Sequence, residues 1–262
     1  MKITLLGTGD SAGIPQIGCD CETCRRHKEN EEHRTRFSVL IENAGKKVLI
    51  DTSPDLRFQF LREGIGGVDS IIFTHAHYDH YAGLGSLYRI IWDELPVYGD
   101  EDVLDNIIGE RFDYLPFPRP YDVSEFEPFE TAGLEFEIVP VHHTPIEAYG
   151  VVIRDDEEGT KVTITGDTAT RVSDDTFEAI EEPDLLIADG FIPAPAERDY
   201  HPFIENRIDD ERYNFADKHM TYEGALHFAD ELGAEETVLV HQSHYYREEH
   251  DELGKDGDIF EV

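Results

Sequence analysis

Little in this chain is basic. Seven Lys and fifteen Arg stand against 58 acidic residues among 262, a formal charge of −36. A protein so short of cations has no general grip on nucleic acid, whose binding rests on Lys and Arg neutralising phosphates. Cysteine is scarcer still: three occur, all between Cys19 and Cys24. An odd, clustered set excludes a disulfide framework and points to a reducing, cytoplasmic compartment and to a metal. No apolar run approaches the length of a membrane-spanning helix, so no membrane partner is expected. Met1-Lys2-Ile3-Thr4-Leu5-Leu6 reads as a first strand rather than a signal peptide. Neither linker, repeat nor low-complexity segment interrupts the chain, and residues 1–262 read as one domain.

What is present is chemistry held in one short stretch. Thr74-His75-Ala76-His77-Tyr78-Asp79-His80 places three imidazoles and a carboxylate within six residues, directly after the apolar run Val68 to Phe73. A buried strand that ends by delivering four such groups into a loop calls for a divalent cation, because the groups would otherwise strain one another or need water of their own. The acids elsewhere are spread along the chain and not gathered in a tail, so disorder is not implied. With so few Lys, this surface resembles that of proteins from salt-loving cytoplasms, where salt screens self-repulsion.

Taken in order, strands are expected at the N-terminus, at Phe37 to Glu42 and at Lys47 to Asp51, with a helix from Pro54 to Glu63. Gly7-Thr8-Gly9-Asp10-Ser11-Ala12-Gly13 is a tight turn, not a dinucleotide fingerprint, since no helix pattern follows it. Helices are expected over 79–92 and 101–111, and an irregular segment over 113–129. Leu134 to Val139 alternates cleanly as a half-buried strand and ends at His142-His143. Tyr149 to Arg154 and Lys161 to Thr165 form a hairpin whose second strand ends at Asp167. Ser173 caps a helix, Asp184 to Ala188 is a buried strand, and Phe191 to Lys218 is long and aromatic without regular period. A helix over 222–232, a buried strand over 236–240 ending at His241, and an edge strand over 258–262 complete the reading.

Four strands therefore end in candidate ligands. His75, His77, Asp79, His80, one of His142 and His143, Asp167 and His241 are five imidazoles and two carboxylates, too many for one tetrahedral ion and suited to two ions sharing a carboxylate. In that order and spacing they resemble the metallo-β-lactamase fold, which implies a mixed α/β (α+β) chain arranged as a four-layer αββα sandwich. The resemblance implies that His75, His77 and His143 hold one ion, that Asp79, His80 and His241 hold the other, and that Asp167 bridges. It selects His143 over His142, since the ligand stands seven residues before Gly150 at the next strand, and it makes Asp51 the carboxylate that orients the ligand loop.

Cys19, Cys21 and Cys24 need a fourth ligand to make a tetrahedral zinc site in a loop at about residues 8–35, with His27 and His33 near in sequence. His241-Gln242-Ser243-His244 resembles the His-x-x-His ending of the PhnP-type cyclic phosphodiesterases, as do the opening Gly7-Thr8-Gly9 and Arg36-Phe37-Ser38, and this implies His244. The same resemblance places His219 in the active site as general acid or phosphate ligand. The cofactors implied are two divalent ions, zinc or manganese, at the active centre and one structural zinc. The expected function is hydrolysis of a small cyclic phosphodiester, such as a phosphoribosyl 1,2-cyclic phosphate, by a metal-bridging hydroxide, with Asp79 and His219 as catalytic side chains. Alternatives are a tRNA 3′-processing endonuclease, a thioesterase or lactonase, and a non-catalytic cofactor-biosynthesis protein like the pyrroloquinoline-quinone accessory proteins. A homodimer is compatible with the sequence and not dictated by it.

Overall fold

Strands whose alternate residues are apolar on both faces must be covered on both faces, and that requirement shapes this molecule. The structure, a computed structural model, describes residues 1–194 and 215–262. The first sheet contains β1 (Lys2–Gly7), β2 (Ser38–Asn43), β3 (Lys46–Ile50), β4 (Ser70–Ile72), β5 (Leu95–Gly99), β6 (Pro118–Asp122) and β13 (Ile259–Glu261), in the order β13-β1-β2-β3-β4-β5-β6. The second contains β7 (Phe129–Thr131), β8 (Leu134–Pro140), β9 (Tyr149–Asp155), β10 (Thr160–Ile164), β11 (Leu185–Asp189) and β12 (Glu236–Val240), in the order β12-β11-β10-β9-β8-β7.

The period of two decides which residue goes where. Val151, Ile153, Leu185 and Ile187 join Ile3, Leu5, Val39 and Val48 in a core between the sheets. Their neighbours Val152, Leu186 and Ala188 point the other way, against Ala225, Phe228 and Leu232 of a helix on the outer face. That helix is α6 (Tyr222–Leu232), whose N-cap Thr221 accepts from the Gly224 amide. Beside it lies α5 (Asp174–Ile180), capped by Ser173 as expected. On the far side α2 (Leu56–Glu63) packs against β1. Two helical layers thus enclose two sheets, the expected αββα order.

Several local expectations change. The helix expected over 79–92 is a single turn, α3 (Tyr78–Tyr81), followed by a 3-10 turn over Ala82–Leu87. Gly83 is the reason for the tight packing there, because a Cβ at that position would lie 2.0 Å from the Ser53 carbonyl oxygen. The helix expected over 101–111 is α4 (Glu101–Leu104) continued by a π turn over Asp105–Gly109. Within the segment expected to be irregular lies β6, and β7 begins at its last residue; both are at sheet edges. Pro118 and Pro120 are tolerated in β6 because an edge strand has one side without a ladder partner. The cysteine segment carries α1 (Glu22–Asn30), with Cys21 as its N-cap. Most of the stretch 191–218 lies outside the described residues. No described helix is long and apolar enough to cross a membrane.

Candidate metal centre

The strands converge so that their C-terminal ends share one rim. β3 ends at Asp51, β4 leads into the His75–His80 loop, β8 leads to His143, β10 to Asp167 and β12 to His241. Asp51 and His241 both sit in the left-handed backbone region, at φ 58° and 57°. Such positions cost about 1–3 kcal/mol each and persist only where surrounding bonds hold them. For Asp51 those bonds are plain: one oxygen accepts the Thr74 amide at 2.9 Å, and the other accepts the Thr74 hydroxyl at 2.7 Å and lies 2.6 Å from His80 Nδ1. With its Nδ1 taken by Asp51, His80 turns Nε2 inward. Thr74 Oγ1 lies 3.0 Å from His75 Nδ1 and does the same for that ring.

Two groups of four result, sharing Asp167. His75, His77, His143 and Asp167 offer ligand atoms that all lie within 4.8 Å of one another, and so do Asp79, His80, Asp167 and His241. Asp167 Oδ1 is 3.4 Å from His80 Nε2, while Oδ2 is 3.2 Å from His241, 3.9 Å from His75 and 4.0 Å from His143. His143 donates Nδ1 to the Lys218 carbonyl at 3.0 Å, which leaves its Nε2 as a lone pair 3.1 Å from His77 Nδ1. His142 faces away from this centre, toward Asp217.

These atoms fit a pair of divalent cations better than they fit one another. The Nε2 atoms of His75 and His80 are buried with no hydrogen-bond partner, an expensive arrangement for a polar atom that nothing else satisfies. Burial, reinforced by neighbouring imidazoles, pushes His75 well down, and burial brings His143 to about 3, so both are neutral and able to coordinate. Burial alone would lower His80 and His241 too, but the carboxylates around them outweigh it. His80 rises well above its usual range and His241 to about 9. The buried carboxylates therefore demand positive charge at this spot, which metal ions supply in place of two protons.

His219 closes the centre on one side. Its ring lies 4.9 Å from that of His143 and stacks on His241 at 5.1 Å. Its Nδ1 is 2.7 Å from Asp189, a fully buried carboxylate that also accepts the Thr168 and Phe191 amides. Asp189 was not singled out from sequence. The signal was present, since β11 ends in a carboxylate just as the strands before Asp51 and Asp167 do.

The second cluster stands apart from the rim. His244 Nδ1 lies 3.5 Å from the sulfurs of Cys19 and Cys21 and 3.6 Å from that of Cys24. Tetrahedral zinc, with Zn–S near 2.3 Å and Zn–N near 2.0–2.1 Å, separates S from N by about 3.5 Å, so the four atoms fit one ion. His27 and His33 are not in this group. Burial pushes Cys24 up to about 12. At Cys21 burial acts in the same sense, yet hydrogen bonds from His244 and the Cys24 amide outweigh it and bring the thiol down to about 6. Asp10, buried in the Gly-rich loop, sits close enough to both clusters to feel His241 and His244. Burial raises it to about 6 against the pull of those two rings.

The chain resembles known proteins over most of its length. Residues 46–242 match the beta-lactamase superfamily domain. An octanoyltransferase of Porphyromonas gingivalis is 34% identical over 256 residues, covering 94% of this chain and 46% of its own. A ribonuclease Z of Bradyrhizobium diazoefficiens is 29% identical over 165 residues, covering 58% of this chain and 49% of its own. The chain thus spans about half the length of these curated relatives. Among solved structures, a diphosphatase from the PhnP family superposes with a TM-score of 0.81 at 29% identity, covering 100% of this chain and 97% of its own. The chain belongs to the beta-lactamase superfamily and has the metallo-β-lactamase fold.

Proposed function

We propose that this chain is a single-domain, metal-dependent phosphodiesterase acting on small diesters, cyclic ribosyl phosphates among them. The observation that carries the reading is the joint placement of two four-residue groups around Asp167 with His219 beside both. The solved diphosphatase of the PhnP family supports hydrolysis of a phosphorus–oxygen bond as the reaction class. Zinc or manganese suits the His and Asp groups, and zinc suits the cysteine cluster. Two ions, when bound, supply an acidified water as nucleophile and neutralise charge on the phosphoryl oxygens.

The remaining work belongs to side chains. Asp51 and Thr74 hold His80 and His75 with their Nε2 atoms turned inward. Asp79 and Asp167 set the negative charge that retains cations. Asp189 holds His219 at Nδ1, which leaves Nε2 to pass a proton to the departing alkoxide. The 58 acids and 22 bases disfavour an RNA substrate and support a high-salt cytoplasmic setting.

The test is a parallel assay of metal-loaded protein, purified in high salt, on diaryl phosphates, cyclic nucleotides, a precursor tRNA, a thioester and a lactone. Phosphodiester turnover is expected. Clear thioester turnover with none on phosphodiesters overturns the reading, and cleavage confined to tRNA moves the chain to the ribonuclease alternative.

A further inference from the structure

His219 and the carbonyl that orients His143 come from one short stretch, and something must hold that stretch in place. Phe215–Asp217 forms a 3-10 turn whose Phe215 carbonyl accepts the amides of Lys218 and His219. Lys218 then presents its carbonyl to His143 Nδ1, and His219 its ring to Asp189. Phe215 packs against Phe191, Ile192 and Tyr245, and at the other end of the turn the Asp217 carboxylate, about a quarter exposed, is held by Arg171, which donates from the loop after Asp167. Thr144 Oγ1 donates to the other oxygen at 3.3 Å, and His142 Nε2 lies 3.3 Å away. Arg171 also donates to His142 Nε2 at 2.7 Å.

The two loops that grip Asp217 are themselves joined. The His142 amide donates to Thr168 Oγ1, and the Ala169 amide to the His142 carbonyl, each at 3.0 Å. They are the loops that carry His143 and Asp167. We infer that Asp217 is a positioning residue of this active site, clamped by Arg171 and Thr144, with His142 accepting from Arg171 and so steering it, and that this clamp lets His219 meet the leaving oxygen. The inference rests on the phosphodiesterase reading and adds a residue to it. It also gives His142 a task, since the side chain that faces away from the metal groups helps to seat the turn that completes them. A misplacement of about 1 Å in such a group costs about 100-fold.

Leaving-group dependence distinguishes this role from general scaffolding. The full, metal-loaded chain is assayed on diaryl phosphates running from bis(4-nitrophenyl) to diphenyl phosphate, whose leaving oxygens grow more basic and need a proton more. Compared at full metal loading, Asp217→Ala should lose about 10- to 100-fold on diphenyl phosphate and less than about threefold on the nitrophenyl ester. His219→Ala should show the same steepened dependence, and the double variant should be no worse than His219→Ala alone. At equal metal loading, an equal loss on every ester or additive defects in the double variant overturns the inference. Should Asp217→Ala fail to fold, Asp217→Asn and Arg171→Ala are read by the same criteria. Absence of turnover by the unmodified chain on all these esters defeats the phosphodiesterase reading instead, and so is told apart.

Discussion

The two metal-fitting clusters are built from different parts of the same chain, and the contrast separates reactivity from architecture. The centre around Asp167 takes its residues from the ends of four strands in both sheets, and hydrogen bonds to Asp51, Thr74 and the Lys218 carbonyl fix the rings of His80, His75 and His143 before any ion arrives. The cysteine cluster takes its residues from a loop, the first turn of α1 and the segment after β12. There Cys21 both caps α1 and faces His244, so the ion would itself organise the loop. A preformed centre suits chemistry, because its groups need no rearrangement during reaction. A cluster that joins separate segments of the chain suits a staple, because binding free energy becomes folding free energy.

The sharpest way to break this contrast is Asp167→Ala. It removes the carboxylate shared by both four-residue groups and should cost more than about 100-fold in phosphodiester turnover, beyond the effect of losing an outer hydrogen-bond partner. Elemental analysis should find the two active-centre ions depleted and one zinc per chain retained, with unchanged circular dichroism. Loss of all metal together would mean that the clusters are not independent. Next in size is Asp51→Asn, which touches no ion but loosens His80 and Thr74. A drop of about 10- to 100-fold in active-centre metal affinity is expected, read by competition with a chelator.

Cys21→Ser tests the other half. One zinc per chain should go, and the melting temperature should fall by roughly 5–10 °C, equivalent to about 2–3 kcal/mol for a chain of this size. Turnover per folded molecule should drop less than about tenfold, because the rim residues keep their hydrogen bonds. A total loss of activity in protein that stays folded would show that the staple reaches the chemistry, with Asp10 as the residue placed to carry it.

How far the sequence foretold this arrangement follows from the range of each signal. His75 to His80 lie within one loop, and the strand ends at Asp51, Asp167 and His241 follow apolar runs of period two or unbroken hydrophobicity, so residue type and position agreed. The cysteines were legible for the same reason. Asp189 was passed over because its partner His219 is thirty residues on, so its place at the end of a buried strand was not connected with the centre. Asp217 escaped notice because its three partners come from two other loops. β6 was hidden by Pro118 and Pro120, which weaken any strand pattern although an edge tolerates them. The shortness of α3 was hidden as well, since the need for Gly83 beside the Ser53 carbonyl is a tertiary fact.

The smallest expected effect sharpens the comparison from outside both clusters. Glu42 on β2 takes Lys2 at 2.7 Å and Lys47 at 2.8 Å, all three partly exposed. The hydrogen bonds from Lys2 and Lys47 outweigh its slight burial and lower its carboxyl below the usual range near 4.5. A depressed carboxylate stabilises the fold above its unfolded pKa and loses that contribution as pH falls through the folded value. Glu42→Gln should therefore cost under about 1 kcal/mol at neutral pH, seen as a small fall in melting temperature that fades as pH drops below 4.5 and in molar salt. A deficit that persists at pH 3 would assign the loss to packing. Charge in this acidic chain is then handled in two ways: at the surface by pairs such as Glu42 with Lys2 and Lys47, where single pairs matter little, and at Asp79 and Asp167 by burial among imidazoles, which the carboxylates raise toward the charged form.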